Sequence, residues 1–141
     1  MDQQLILFPI LALVLLTFGI GAVLLKLRFS AVIKGKISAK YFKLYRGEDV
    51  PDSLLKVSHN FSNLLEIPVL FYVICILLLV TNKVELAQLI LAWIFVGSRY
   101  VHSYIHTTSN RLMKRMQVFL FGAVSLIIMW CLFFIRMIMQ S

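Results

Sequence analysis

Long apolar runs, separated by short polar or basic connections, dominate the chain. Four of them are about 20 residues long, the length a helix needs to cross the hydrocarbon core of a bilayer. They read as Leu5–Leu25, Phe61–Val80, Leu86–Ile105 and Val118–Ile138. None shows the strict alternation of a membrane barrel strand. The pattern predicts a single all-α domain over 1–141, a bundle of four transmembrane helices with a basic connection over 26–58.

Composition agrees with this reading. The chain is 61% hydrophobic, with a mean hydropathy of +0.92. The first run has Asp2 and no basic residue ahead of it, and no small-residue cleavage site behind it, so it reads as a span and not as a removable leader. The net charge of +8 is distributed unevenly. Lys26, Arg28, Lys34, Lys36, Lys40, Lys43 and Arg46 fall in the first connection, and Arg111, Lys114 and Arg115 in the third. The second connection sets only Lys83 against Glu85. The positive-inside rule therefore puts the first and third connections in the cytoplasm and both ends on the non-cytoplasmic side. For a bacterial host that means the inner membrane. The positive charge also attracts anionic lipid headgroups. No nucleic-acid module accompanies it, so nucleic acid is not an expected partner.

Cys75 and Cys131 lie inside apolar runs with no metal-ligand spacing, so they read as packing residues and no metal is expected. Trp93 and Trp130 fall mid-span and are expected between helices. Gly19, Gly21, Gly97 and Gly122 are candidate points of close helix approach. Gly47 and Pro51 should break the first connection, with Asp52 or Ser53 capping a second helix that starts near Leu54.

The polar exceptions inside the spans carry the chemistry. An ionisable side chain at mid-membrane costs about 2.5–3.5 kcal/mol on insertion scales, so it needs a partner or a task. His59, Asn63 and Glu66 follow steps of four and three and share one helix face, with Pro68 just beyond to loosen the backbone. Arg99, His102 and His106 do the same on the third span. Glu66 lies about 9 Å in from Asn60, and Arg99 about 10 Å before His106, so the two reach one level. The expected result is a buried Glu66–Arg99 ion pair, with Asn63 and His102 in the same polar layer. Thr107-Thr108-Ser109-Asn110 is expected to cap the fourth helix. Arg111, Lys114 and Arg115 in its first turns oppose the macrodipole unless they meet an anion, such as a carboxylate or a phosphate.

These residues resemble the MAPEG superfamily, membrane-associated proteins in eicosanoid and glutathione metabolism, in a bacterial-type member. The resemblance rests on Asn63-x-x-Glu66 followed by Pro68, on Arg99-x-x-His102, and on Arg115 at the start of the fourth helix. It covers nearly the whole chain. It implies a homotrimer in which glutathione binds between protomers near the cytoplasmic face and lipophilic substrates arrive from the bilayer. Asn63, Glu66, Arg99 and His102 match glutathione-contacting positions, and His59 and Arg111 extend that set. Arg115 matches the residue that activates the thiol. His106 stands where a tyrosine is common and is a candidate proton donor. His59 replaces a frequent arginine, Phe119 another tyrosine and Ser38 a basic residue. Two functional classes follow from the resemblance. One is a glutathione transferase or peroxidase acting on lipophilic electrophiles. The other is a non-catalytic membrane subunit or lipid-binding protein that keeps the polar cluster for folding.

Overall fold

The computed structural model describes residues 2–45 and 49–139, with the backbone alone at Leu44. The described residues are helical apart from short connections. A 3-10 turn at Gln3–Ile6 leads into α1 (Leu7–Ile33). The short α2 (Tyr41–Leu44), α3 (Asp52–Leu65), α4 (Pro68–Val80), α5 (Leu86–Thr107) and α6 (Leu112–Met139) follow. Three stretches are long and apolar enough to cross a membrane: Gln3–Ile33, Asp52–Val80 and Leu112–Met139. Helix α5 is about 33 Å long, enough to span, but Gln88, Arg99, His102 and His106 dilute its hydropathy.

α1 runs eight residues past Leu25 and so carries Lys26 and Arg28 as helical residues. It stops at Gly35, whose φ of 65° a residue with a Cβ adopts only with strain. α3 begins at Asp52 behind Pro51, with no side-chain cap. The second helix is interrupted where Pro68 cannot donate to the carbonyl one turn back and its ring crowds that carbonyl. Glu66 is left at φ −91°, ψ −91°, and α4 restarts with Pro68 in its first turn. This break separates an amphipathic half, α3, from an apolar half, α4.

The main core joins α1, α4, α5 and α6 through buried Leu13, Phe71, Ile74, Phe95, Met129 and Phe133. Phe71 stacks on Phe95 with ring centroids 4.8 Å apart. A second cluster, with Leu24, Ala31, Ile37, Tyr41, Leu54 and Val57, ties the end of α1 to α2 and the start of α3. At the opposite end, the Val84 N–H donates to Gln3 Oε1 at 2.8 Å, holding the N-terminal turn against the α4–α5 connection. Arg136 grips Glu85 there through two contacts, Nη1–Oε1 at 2.5 Å and Nη2–Oε2 at 2.6 Å.

The outward faces stay apolar: Phe8, Leu11, Leu15, Phe18, Leu70, Ile76, Leu120 and Phe121 are exposed. Apolar surface on this scale suits lipid or a neighbouring chain and not water. Trp93 is among the exposed residues, so it faces outward instead of packing between helices. Trp130 packs on the main core and stacks on Phe134.

Candidate functional site

The face of α5 that turns inward carries Gln88, Ser98, Arg99, His102, Ser103 and His106, all buried. These polar groups sit beneath α3 and α6 and away from the outer surface, as lipid requires of them.

Arg99 is 1% exposed. Its guanidinium lies between the rings of Phe95 and Phe119, with centroids at 5.1 Å and 4.8 Å, and its Nη2 donates to the Phe119 carbonyl at 3.0 Å. Two aromatic faces and a carbonyl thus take the place of a counter-ion. Nε has no partner among the described residues. The approach of α6 depends on Gly122: a Cβ there would meet Ser98 Oγ at 2.0 Å and Arg99 Nη2 at 2.7 Å. Of the four glycines singled out in the sequence, Gly122 makes the tight contact, Gly21 touches Phe61, and Gly19 and Gly97 face open space.

The expected Glu66–Arg99 pair does not form. Among the described residues the ion pair present is Arg136–Glu85. The helix break leaves Glu66 exposed at the end of α3, while Arg99 points across to α6. Counting residues gives a level along a helix; it says nothing about direction around the helix axis, and that decides the contact. Asn63 is half-buried, and neither its side chain nor that of Glu66 hydrogen-bonds to a described residue; the Glu66 carbonyl accepts from the Val69 N–H at 3.1 Å. Three residues before Asn63, Asn60 is fully buried, and its Oδ1 accepts from Ser103 Oγ at 3.2 Å. The signal was present in the sequence: Leu54, Val57, Asn60 and Leu64, at steps of three, three and four, form the buried stripe of α3.

Two histidines connect this layer to α6. His102 Nδ1 lies 3.2 Å from the Arg115 carbonyl, which can only accept, so Nδ1 carries the proton. His106 Nε2 lies 3.3 Å from Arg115 Nη1, which can only donate, so Nε2 accepts and the His106 ring is neutral with its proton on Nδ1. The Nε2 of His102 and the Nδ1 of His106 are buried without partners among the described residues.

Arg115 has a second anchor. Its Nη1 donates to Asn110 Oδ1 at 2.6 Å. Asn110 adopts φ 49°, and its N–H donates to the Ile105 carbonyl at 2.7 Å. The Thr107 and Thr108 hydroxyls donate to the Ser103 and Tyr104 carbonyls. The 107–110 segment therefore closes the C-terminus of α5 and does not cap α6, a correction to the sequence reading. The left-handed asparagine that ends α5 is also the group that fixes Arg115.

Between α3 and the α5–α6 connection lies a cavity of about 250 Å³, bordered by Asp52, Lys56, His59, His106, Asn110 and Arg115. Of the site residues predicted from sequence, His59, His106 and Arg115 meet here. Arg99 and His102 form the buried layer beneath. Arg111 is exposed at the start of α6, and Asn63 and Glu66 lie outside the cavity. Asp52, Lys56 and Asn110 join it without having been singled out for binding. The arrangement is cationic, with one carboxylate, and suits an anion that also carries an ammonium group.

Searches of curated proteins and of solved structures find no match. The model of the MAPEG family matches residues 6–135, which takes in all of α3 and α5 and all but the last turn of α6. The spans, the buried polar face of α5 and this match lead to one conclusion: the chain is an integral membrane protein that belongs to the MAPEG family.

Proposed function

We propose that this protein binds glutathione at the cavity around Arg115 and uses its thiolate against lipophilic electrophiles or peroxides, as a transferase or peroxidase. The observation that carries the reading is the double anchoring of Arg115. Asn110 and His106 hold one guanidinium nitrogen, and the other faces of the group are left for a ligand.

The residues present fit glutathione in part. Arg115 and Lys56 suit its carboxylates or thiolate, and Asp52 suits its ammonium. The cavity of about 250 Å³ lies below the range of about 300–1,000 Å³ usual for ligand pockets, so one protomer supplies part of a site. A homotrimer with the remainder contributed by a neighbour follows from the family. So does a bundle of four spans, with the cavity on the cytoplasmic side and both ends opposite.

The chemistry asked of the chain is modest. A free thiol has a pKa near 8.5, and the thiolate is the nucleophile. The Arg115 guanidinium, at the first turns of α6, favours the ionised sulfur and holds it toward a substrate arriving from the bilayer. The protonated nitrogen of His106 is the buried Nδ1, so His106 positions Arg115 and is not placed to hand over a proton. Arg99 and His102 support the site from below and do not line the cavity.

A second reading is favoured by the burial of Arg99. A guanidinium sealed between two rings serves packing as well as binding, as a non-catalytic, lipid-binding or partner-stabilising subunit would need. Conjugation of glutathione to a chlorodinitrobenzene by the purified protein separates the two. Activity that disappears in Arg115→Ala, with the oligomer intact, supports the enzyme; no activity above the uncatalysed rate supports the subunit.

A further inference from the structure

A second cavity lies at the end of the bundle opposite Arg115. It holds about 260 Å³ between the end of α4, the α4–α5 connection, the first turn of α5 and the last turns of α6. Leu78, Leu132 and Phe133 form its apolar walls. Glu85 and Arg136, nearly half exposed, mark its outer part with Lys83, and the buried Gln88 borders it from α5. An apolar cavity of about 150 Å³ takes up benzene, so this one has room for a ring with a substituent at each end.

Gln88 is 4% exposed and lies three residues, about 4.5 Å, inward of Glu85 along α5. Its Nε2 donates to the Met129 carbonyl at 3.2 Å. A carbonyl only accepts, so this bond fixes the amide and makes its other atom the acceptor Oε1. Oε1 is closed to solvent and meets no donor among the described residues. The other buried polar side chains of α5 begin at Ser98, about 15 Å further along, so the amide belongs to no larger polar layer. The donor it lacks has to come from a molecule seated in the cavity it borders.

The outer part carries two cations and one carboxylate. Arg136 engages Glu85 through two of its five N–H groups, and Lys83 Nζ lies 3.0 Å from the Met137 sulfur, a weak acceptor. The excess positive charge favours an anion. A single negative charge, a flat apolar body beside Phe133 and a hydroxyl able to donate to Oε1 together define one ligand class.

We propose that this cavity binds a small hydroxyaryl carboxylic acid as its anion, with the hydroxyl on Gln88 and the carboxylate toward Arg136 and Lys83. The proposal is independent of the glutathione reading. The two cavities share no residue, and Gln88 stands about 27 Å along α5 from His106.

The test titrates the intact oligomer in non-ionic detergent with 4-hydroxybenzoate, benzoate and phenol, with binding read by isothermal titration calorimetry. In wild type, 4-hydroxybenzoate should bind about tenfold or more tighter than benzoate, the factor expected for a buried hydrogen bond. Gln88→Leu should remove that preference and leave benzoate binding unchanged. Arg136→Gln should weaken both acids about tenfold and leave phenol as it was. Ala87→Trp, at an exposed position on the cavity wall, should abolish binding of all three. No saturable binding by wild type would overturn the proposal and leave the cavity to water. So would equal affinity for the two acids in wild type, or a preference that survives Gln88→Leu. Equal heats from wild type and Ala87→Trp would also overturn it, marking partition of the acid into detergent. If Gln88→Leu does not assemble, the wild-type preference and Ala87→Trp still decide the matter.

Discussion

Replacing Gly122 by alanine tests the packing that buries Arg99. The new Cβ would stand 2.0 Å from Ser98 Oγ, 2.7 Å from Arg99 Nη2 and 3.0 Å from Ser98 Cβ. Rotating Ser98 would relieve the first contact but break its 2.6 Å bond to the Phe95 carbonyl, a loss of about 1 kcal/mol. Moving Arg99 would endanger its bond to the Phe119 carbonyl, worth about 1.5–3 kcal/mol as a charged hydrogen bond. The Cβ–Cβ contact persists in any rotamer, so α5 and α6 must separate. Overpacking of this kind costs about 1–3 kcal/mol. Better helix propensity returns at most about 1 kcal/mol. A net destabilisation of about 1–3 kcal/mol follows, several degrees in Tm. Thermal unfolding of the detergent-solubilised protein measures it, and a double-mutant cycle with Ser98→Ala locates it. Removing Oγ takes away the shortest contact, so Ser98→Ala should recover at least about half of the loss. A Gly122→Ala protein as stable as wild type, or one that Ser98→Ala does not help, would refute this account of the α5–α6 contact.

Other outcomes follow from the same geometry. Glu66→Ala should change stability by no more than about 0.5 kcal/mol within a protomer, because the carboxylate is exposed and unpaired there; a loss of several kcal/mol would show that Glu66 meets a buried partner in the assembly. Arg136→Ala should cost about 0.2–1 kcal/mol despite its two short contacts, since both partners are nearly half exposed, and thermal melting of the single and double variants with Glu85→Ala would report the coupling. Asn110→Ala should leave the helices folded but lower glutathione-dependent turnover, because it frees Arg115 and removes the amide that makes asparagine tolerant of a left-handed φ; unchanged turnover would remove Asn110 from the site. Single cysteines at Gln3 and Lys36 should label from opposite sides of the membrane, and labelling from one side would refute the topology.

The apolar runs made the helices legible because lipid imposes a strong length and composition constraint. Residue spacing was as clear on α5, where Arg99, His102 and His106 fall on one buried face. Partner choice was less legible. Depth along a helix can be counted from the sequence, but the direction of a side chain depends on how neighbouring helices are rotated, and the break at Pro68 changes that rotation for Glu66. Asn60 was obscured by His59 and Asn63 on either side of it, although its place in the apolar stripe of α3 marked it. Asn110 looked like a cap for the helix that follows it, and its left-handed backbone instead ends the helix before. The role of Phe119 could not be read locally, because its carbonyl and ring matter only where α6 crosses Arg99.

The central claim is that the Arg115 cavity receives glutathione. The most direct measurement is the melting temperature of the purified oligomer, wild type and Arg115→Ala, across a glutathione titration. A ligand that binds the native state raises the unfolding free energy by about 2.7 kcal/mol at a hundred times its Kd. The account predicts a saturable rise in Tm for wild type and little or none for Arg115→Ala, from similar starting values. No rise in wild type, or the same rise in both proteins, would contradict it.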